Sequence, residues 1–361
     1  MKSNLYTRKL EIKHIYWFAP FNLNGPSTRY RGFYPLEVLK KDFGINSDFT
    51  FPEKSKSGVW NFIKIYSKAL LFRRKDSIIV IQKICSNRIY SNLLKFLVIL
   101  QSKNTLFDVD DAEYLRHNNG TLHFFLKNCK KITVGSSALK EYCETYNKQV
   151  YLLTSPIVEH PNQKVKRNLI PNIGWVGDFG NGNKISQEFS HKKSVYDILF
   201  PQIKKIDTPI ILTLIGVKNE NDIPEIFNYF KDHSNIEIKI PTNLNWEKDD
   251  WVYSEIEKFD IGVSPMTNHL FNVSKSAFKA KQYLSVGIPT IASDVGENDK
   301  FVKHNKNGFI CKNGIEFSKA LSQLLEMNDE EYFDLSRNAM RNKEEFSMNK
   351  YCSLLLEMYQ I

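Results

Sequence analysis

Short apolar runs, each bounded by Gly, Pro, Ser or Asp, alternate along the chain with longer stretches of helical periodicity. In the first half, His14–Pro20, Ser77–Ile84, the start of Asn104–Glu113, Lys131–Ser136 and Gln149–Ser155 read as buried strands. Tyr30–Lys41, Val59–Lys75, Ser91–Gln101 and Ala138–Tyr146 read as helices between them. A polar, basic segment follows, Asn162–Pro171 (NQKVKRNLIP), and is placed as a linker. The pattern then restarts with strands at Ile173–Val176, Ile210–Gly216, Asn235–Pro241, Ile261–Val263, Ile288–Ala292 and the segment NGFICKN. Helices are predicted at Trp246–Lys258, Lys275–Ser285, Ile315–Glu326, Asp329–Asn342 and Met348–Tyr359. Strands alternating with helices, twice over, argue for an α/β protein with two Rossmann-like domains facing a central cleft. The boundary is set at residues 1–162 and 163–347.

Length agrees with that division, since 361 residues exceed what one compact core usually holds. An apolar content of 42% with 25 Phe and 17 Tyr is enough for well-filled cores and excludes a disordered chain. No apolar run reaches the length of a membrane span, and the N-terminal MKSNLYTRKLEIKH lacks a signal-peptide core. The five cysteines are scattered without metal-ligand spacing, which suits reduced structural thiols and a cytoplasmic protein. A net charge of +10 favours anionic partners. Phosphorylated ligands and an acidic membrane surface rank above nucleic acid, for which there is no signature.

The densest chemistry lies between Phe259 and Asp294. Here a strand leads through a polar loop into a helix whose start is placed near Ser276, with Ser274 and Ser276 as caps. Such a helix start gathers unpaired N–H groups and the positive end of the helix dipole, an anion site to which Lys275 and Lys279 add cations suited to a diphosphate. A βαβ unit with solvated lysines fits the same pattern.

These residues resemble the donor-binding region of retaining glycosyltransferases of family 4, which have the GT-B fold, and in particular a bacterial surface-polysaccharide branch. The likeness is carried by Asp260-Ile261-Gly262, Pro265, Lys275, Ala277-Phe278-Lys279, Gln282-Tyr283, Gly287-Ile288-Pro289 and Ala292-Ser293, about a tenth of the chain. It implies transfer of a sugar, of hexosyl type, from a nucleotide diphosphate sugar to a glycan or lipid-linked acceptor. The implied chemistry is retaining and metal-independent, with no cofactor. Lys275 and Lys279 would stabilise the leaving diphosphate, while Ser274, Ser276, Phe278, Gln282 and Tyr283 would line the donor. Most family members carry two glutamates eight positions apart, and Ser274 and Gln282 stand there instead. Gln282 can still hydrogen-bond ribose. The family's last helix returns to the first domain, a role implied for residues 348–361.

Three further stretches carry candidates. Gly177-Asp178 and its following glycines, with Gly216 after a later strand, allow close backbone approach to a phosphate. The loop after the first strand supplies Ser27, Thr28, Arg29 and Arg31, which resemble the family's acceptor-side loop. Asp108-Val109-Asp110 has the D-x-D spacing of metal-dependent GT-A enzymes, but in the family-4 branch a similar run faces the cleft, so Asp110 and Asp111 are read as cleft residues. Acidic side chains capping a helix start fit them equally. Finally, Trp60–Lys75 mixes aromatic and basic residues, which suits either an anionic bilayer or a core-facing helix with a solvated basic end. Attachment to the inner face of the plasma membrane is the expectation drawn from it. A catalytically inactive nucleotide-binding scaffold, and a GT-A enzyme using Asp108 and Asp110, are the rival readings.

Overall fold

The computed structural model describes residues 12–71, 76–115, 119–161, 163–180, 188–243, 245 and 248–359. Lys75, Asn162 and Trp246, named above, lie outside them, as do Arg73, Arg74 and Lys184. The chain divides into one unit of residues 1–156 with 348–361 and a second of residues 157–347.

The first unit is built on β1 (His14–Phe18), β2 (Asn46–Thr50), β3 (Ser77–Gln82), β4 (Thr105–Val109), β5 (Lys131–Val134) and β6 (Val150–Leu152), all parallel in the order β2-β1-β3-β4-β5-β6. Its helices are α1 (Tyr34–Phe43), α2 (Lys56–Leu71), α3 (Arg88–Gln101), α4 (Gly120–Asn128) and α5 (Ser137–Glu144). Every residue of β3, β4 and β5 is buried, which is why these strands read as unbroken apolar runs. β2 was not predicted. It is an edge strand with one buried residue in five, so it leaves no apolar run to detect.

The second unit has β7 (Asn172–Val176), α6 (His191–Ser194), α7 (Phe200–Ile203), β8 (Ile210–Ile215), α8 (Asp222–Phe230), β9 (Ile236–Lys239), α9 (Asp249–Ile256), β10 (Ile261–Ser264), α10 (Leu270–Val273), α11 (Phe278–Ser285), β11 (Thr290–Ser293), α12 (Asn298–Phe301), β12 (Gly308–Cys311), α13 (Gly314–Glu326) and α14 (Asp329–Arg341). Its sheet is also parallel, in the order β12-β11-β10-β7-β8-β9. Two six-stranded parallel sheets flanked by helices bear out the α/β expectation. The segment from 157 onward packs with this unit, with Ile157 donating to the Phe346 carbonyl (3.0 Å) and Lys164 paired with Asp260 (3.0 Å). The last helix, α15 (Met348–Tyr359), belongs to the first unit, where the Tyr351 hydroxyl donates to the Arg31 carbonyl (3.0 Å).

Besides β2, the helices α4 and α8 were not predicted, and near the candidate residues two local details differ from the sequence reading. The segment after β1 winds as a π-helix over Thr28–Phe33 before α1 begins, instead of one helix from Tyr30. α11 starts at Phe278, not near Ser276, and neither Ser274 nor Ser276 caps it. Ser274 Oγ donates to Leu270 O (3.1 Å), closing α10. The residue before α11, Ala277, sits in the left-handed region at φ 56° and so ends any continuous helix from Lys275.

Among the described residues no helix is long and apolar enough to cross a membrane. All five cysteines are free, and burial pushes the thiols of Cys129, Cys143, Cys311 and Cys352 each up to about 12, which keeps them unreactive.

Arg31 is fully buried and forks onto Asp108: Nε donates to Oδ2 at 2.9 Å and the outer guanidinium nitrogen pairs with Oδ1. Arg31 also donates to the Leu153 carbonyl (2.7 Å), and Thr133 Oγ1 donates to Asp108 (2.7 Å), so β4, β5 and the chain after β6 meet on one ion pair. Arg31→Ala would strand a buried carboxylate, an expected loss of about 3–5 kcal/mol in urea unfolding. A change below about 0.5 kcal/mol, the size of an ordinary surface effect, would contradict this structural role.

Candidate functional site

In an open parallel sheet, ligands collect beyond the carboxyl ends of the strands at the point where strand order reverses. In the second unit that point lies between β7 and β10, since β8 and β9 extend one way and β11 and β12 the other. Gly177 follows β7 directly, its N–H donating to Ile215 O (2.9 Å), and Gly216 follows β8 beside it at φ 104°. A Cβ on Gly177 would lie 2.6 Å from the Trp175 ring and 2.8 Å from Lys279 Cε. Only glycine lets the lysine stem cross the strand end here.

Lys279 comes from the first turn of α11, where N–H groups without intrahelical acceptors point out along the axis. Its Nζ lies 2.9 Å from His191 Nε2 and 5.9 Å from the Trp175 ring centroid. The other imidazole nitrogen, Nδ1, is 3.0 Å from the Asp178 carbonyl, which can only accept. Nδ1 therefore carries the proton, and in the neutral ring Nε2 accepts from Lys279. Burial, followed by the charge of Lys275, lowers the Lys279 pKa from the ordinary 10.5 to about 7. On the acid side of neutrality this is a cation short of solvation and of counter-charge, the condition that favours an arriving anion. Lys275 sits nearby with Nζ 4.5 Å over the Phe271 ring. The left-handed Ala277 between the two lysines stores strain of the kind found at binding sites.

The remaining donor-side candidates separate. Asp178 turns its carboxylate away to the Gly180 N–H (2.8 Å) and Lys218 (2.9 Å). Phe278 is half-buried against the cluster around Ala280, Leu284 and Phe346. Tyr283 is a correction: it is fully buried, accepting from Val176 N–H (2.9 Å) and donating to Val263 O (3.3 Å), and so ties β7 to β10. Ser274, Ser276 and Gln282 are also buried, at 1%, 7% and 5% exposure. As they stand, these three present little surface to a ligand.

The first unit holds a second cluster, at its own reversal between β1 and β3. Lys83 follows β3 at φ 56° and reaches Asp110 (2.9 Å), Asp111 (2.6 Å) and Glu113 (3.5 Å). Burial works against its charge, but the three carboxylates outweigh it and hold the ammonium charged, well above the ordinary pKa. Ser27 Oγ donates to Asp110 Oδ2, and Gln82 Nε2 donates to the Ser27 carbonyl (2.8 Å). Carboxylates outnumber the one cation, so the cluster suits hydroxyl donors and not phosphate. Of the acceptor-side candidates only Ser27 reaches it. Thr28 is buried against Phe21 O, Arg29 is buried with Nη1 on Leu23 O (2.6 Å), and Arg31 is consumed by Asp108. The same bond removes Asp108 as a metal ligand.

Sequence reasoning did not select Gln82, Lys83 or His191. A polar Gln-Lys pair ending the apolar run Ser77–Ile81 was the available signal for the first two. His191 opens a helix behind the cap Ser190, but its approach to Lys279 across 88 residues left no mark in spacing.

Residues 171–327 match the family model described as Glycosyl transferases group 1. No curated protein matches the chain. Among solved structures, sucrose-phosphate synthase from Thermosynechococcus elongatus is similar at 13% identity and TM-score 0.70, covering 96% of this chain and 98% of that one. A glycosyltransferase from Rickettsia africae is similar at 11% identity and TM-score 0.66, covering 97% and 98%. Anabaena HepE, in a structure with UDP, is similar at 11% identity and TM-score 0.58, covering 97% and 100%. At these identities the likeness shows the fold, which is GT-B, so the GT-A alternative falls. The second unit carries a match to the group 1 domain within a GT-B chain, and the two together support a glycosyltransferase.

Proposed function

We propose that the protein moves a sugar from a nucleotide diphosphate sugar to a glycan or lipid-linked acceptor, with retention of configuration and without a metal. The placement in bacterial surface-polysaccharide assembly rests on the resemblance of residues 259–294. The observation that carries the reading is Lys279 laid over Gly177 at the strand reversal of the second unit, under-solvated and beside a helix start. Leaving diphosphate is the largest charge to develop in such a transfer, and a preorganised cation with backbone N–H groups is what stabilises it. UDP in the Anabaena neighbour supports a nucleotide donor here. The carboxylate-rich cluster at Lys83 in the first unit suits the hydroxyl groups of an acceptor, with Asp110 and Asp111 as the groups that would receive them.

A second reading has one observation in its favour. With Ser274 turned to Leu270 and Gln282 buried, no carboxylate occupies either family-glutamate position, as in a donor-binding subunit that does not turn over. Nucleotide bound without release of sugar from any nucleotide sugar would establish it.

Lys279→Ala is expected to weaken nucleotide diphosphate binding and catalytic efficiency by about ten- to a thousand-fold while leaving the fold intact. Kinetics within twofold of wild type in a folded variant would remove this lysine from the site. Activity is expected to persist in EDTA; loss restored by manganese or magnesium would contradict the metal-free reading.

The pH dependence has a definite sign. In the free protein Lys279 is charged below about 7 and neutral above it, and a bound dianion raises that value. Affinity for nucleoside diphosphate is therefore full on the acid side and falls as pH rises through about 7, by up to tenfold per unit. Calorimetry across neutrality checks this, and a flat profile would contradict it. Without ligand the sign is opposite. Folded Lys279 binds its proton less tightly than the unfolded chain, so its contribution to stability rises with pH between about 7 and 10.5.

A further inference from the structure

Half of the large apolar side chains that the described residues expose lie on just two helices, α2 and α3. The helices lie side by side. Phe62 packs on Tyr90 at 4.7 Å between ring centroids, Tyr66 Oη donates to Leu93 O (3.0 Å), and Gln101 Nε2 donates to Leu70 O (3.1 Å). Their inner faces, including Phe62, Ile65, Leu94 and Leu97, are buried. Their outer faces carry Trp60, Ile63 and Leu71 on α2, and Ile89, Phe96 and Ile99 on α3, at spacings of three and of seven or eight residues that form one stripe per helix. Trp60 is 71% exposed and Ile89 75%, so this is not the rim of a core.

Charge completes the pattern. Lys56, Lys64, Arg88 and Lys103 are exposed on or beside the same two helices. No Asp or Glu occurs between Lys54 and Lys75, or between Arg88 and Lys103. A protein interface core is depleted in lysine, and a nucleic-acid surface has no use for a floor of Ile, Leu and Phe. An anionic bilayer takes both features, with apolar side chains entering the headgroup boundary while Lys and Arg meet the lipid charge.

We propose that the joint outer face of α2 and α3 docks on an anionic membrane surface. This goes beyond the transfer reading and does not depend on it. The aromatic and basic stretch of α2 was visible in sequence; the second stripe, on α3, and the exposure of Trp60 are what make a two-helix face.

The test is cosedimentation of the full chain with phosphatidylcholine vesicles, with and without phosphatidylglycerol, at low and high salt. Binding is expected only to the anionic vesicles and to fall at least about tenfold in high salt, because exposed charges are screened within about a Debye length. Trp60→Ser with Phe96→Ser, and separately Lys56→Gln with Lys64→Gln and Arg88→Gln, are each expected to weaken binding by about tenfold or more. Circular dichroism and thermal melting confirm folding, since all five sites are on the surface. Equal binding to both vesicle types, no binding, or variants that bind like wild type would overturn the proposal. So would sedimentation velocity showing a dimer that Phe96→Ser dissociates, because the face would then join copies of the chain.

Discussion

Lys279 is the constraint on which the site depends: an ammonium placed where water reaches it poorly, with an imidazole at 2.9 Å instead of a carboxylate. Two of the buried lysines recover a counter-charge from carboxylates: Lys83 from Asp110, Asp111 and Glu113, and Lys164 from Asp260. Lys279 does not gain one from His191, and the neighbouring charge that bears most on it is the like charge of Lys275. The surroundings are shaped to keep it there. Gly177 yields its side-chain space to the lysine stem, Ala277 adopts a left-handed turn so that α11 begins where it does, and Tyr283 fixes the two strands that frame the reversal. An anion would complete an electrostatic balance that the folded chain leaves open.

The first unit meets the same topological situation with the opposite electrostatics. Its strand ends are acidic, and the cations brought there are spent: Arg31 inside the core on Asp108, Lys83 among three carboxylates. Parallel sheets make such places unavoidable, because every strand ends at the same edge and polar residues following the strands gather there. One edge has an unsatisfied cation and the other an excess of carboxylate. The proposed division of roles, donor phosphate at the one edge and acceptor hydroxyls at the other, rests on that difference and not on the shared architecture.

Legibility in the sequence followed burial. β3, β4 and β7, buried along their whole length, announced themselves as apolar runs, whereas β2 at the sheet edge did not. The place of Lys279 in the first turn of a helix was legible because it lies within a local strand–loop–helix pattern, where spacing carries information. His191 was not, since its role arises from a contact across 88 residues. Arg31 misled for a physical reason: an arginine in a glycine-containing loop after a strand reads as exposed, and nothing local reveals a buried Asp108 waiting 77 residues away. Ser274 and Ser276 misled similarly, because a serine before a helix reads as a cap, while the turn at Ala277 shifts the true start beyond both.

The most direct measurement is a crystal structure of the protein with a nucleoside diphosphate bound. The expected result places the phosphates within hydrogen-bond reach of Lys279 Nζ and the first-turn N–H groups of α11, against Gly177. Phosphates bound elsewhere on the chain, with Lys279 still held by His191 alone, would contradict the central claim.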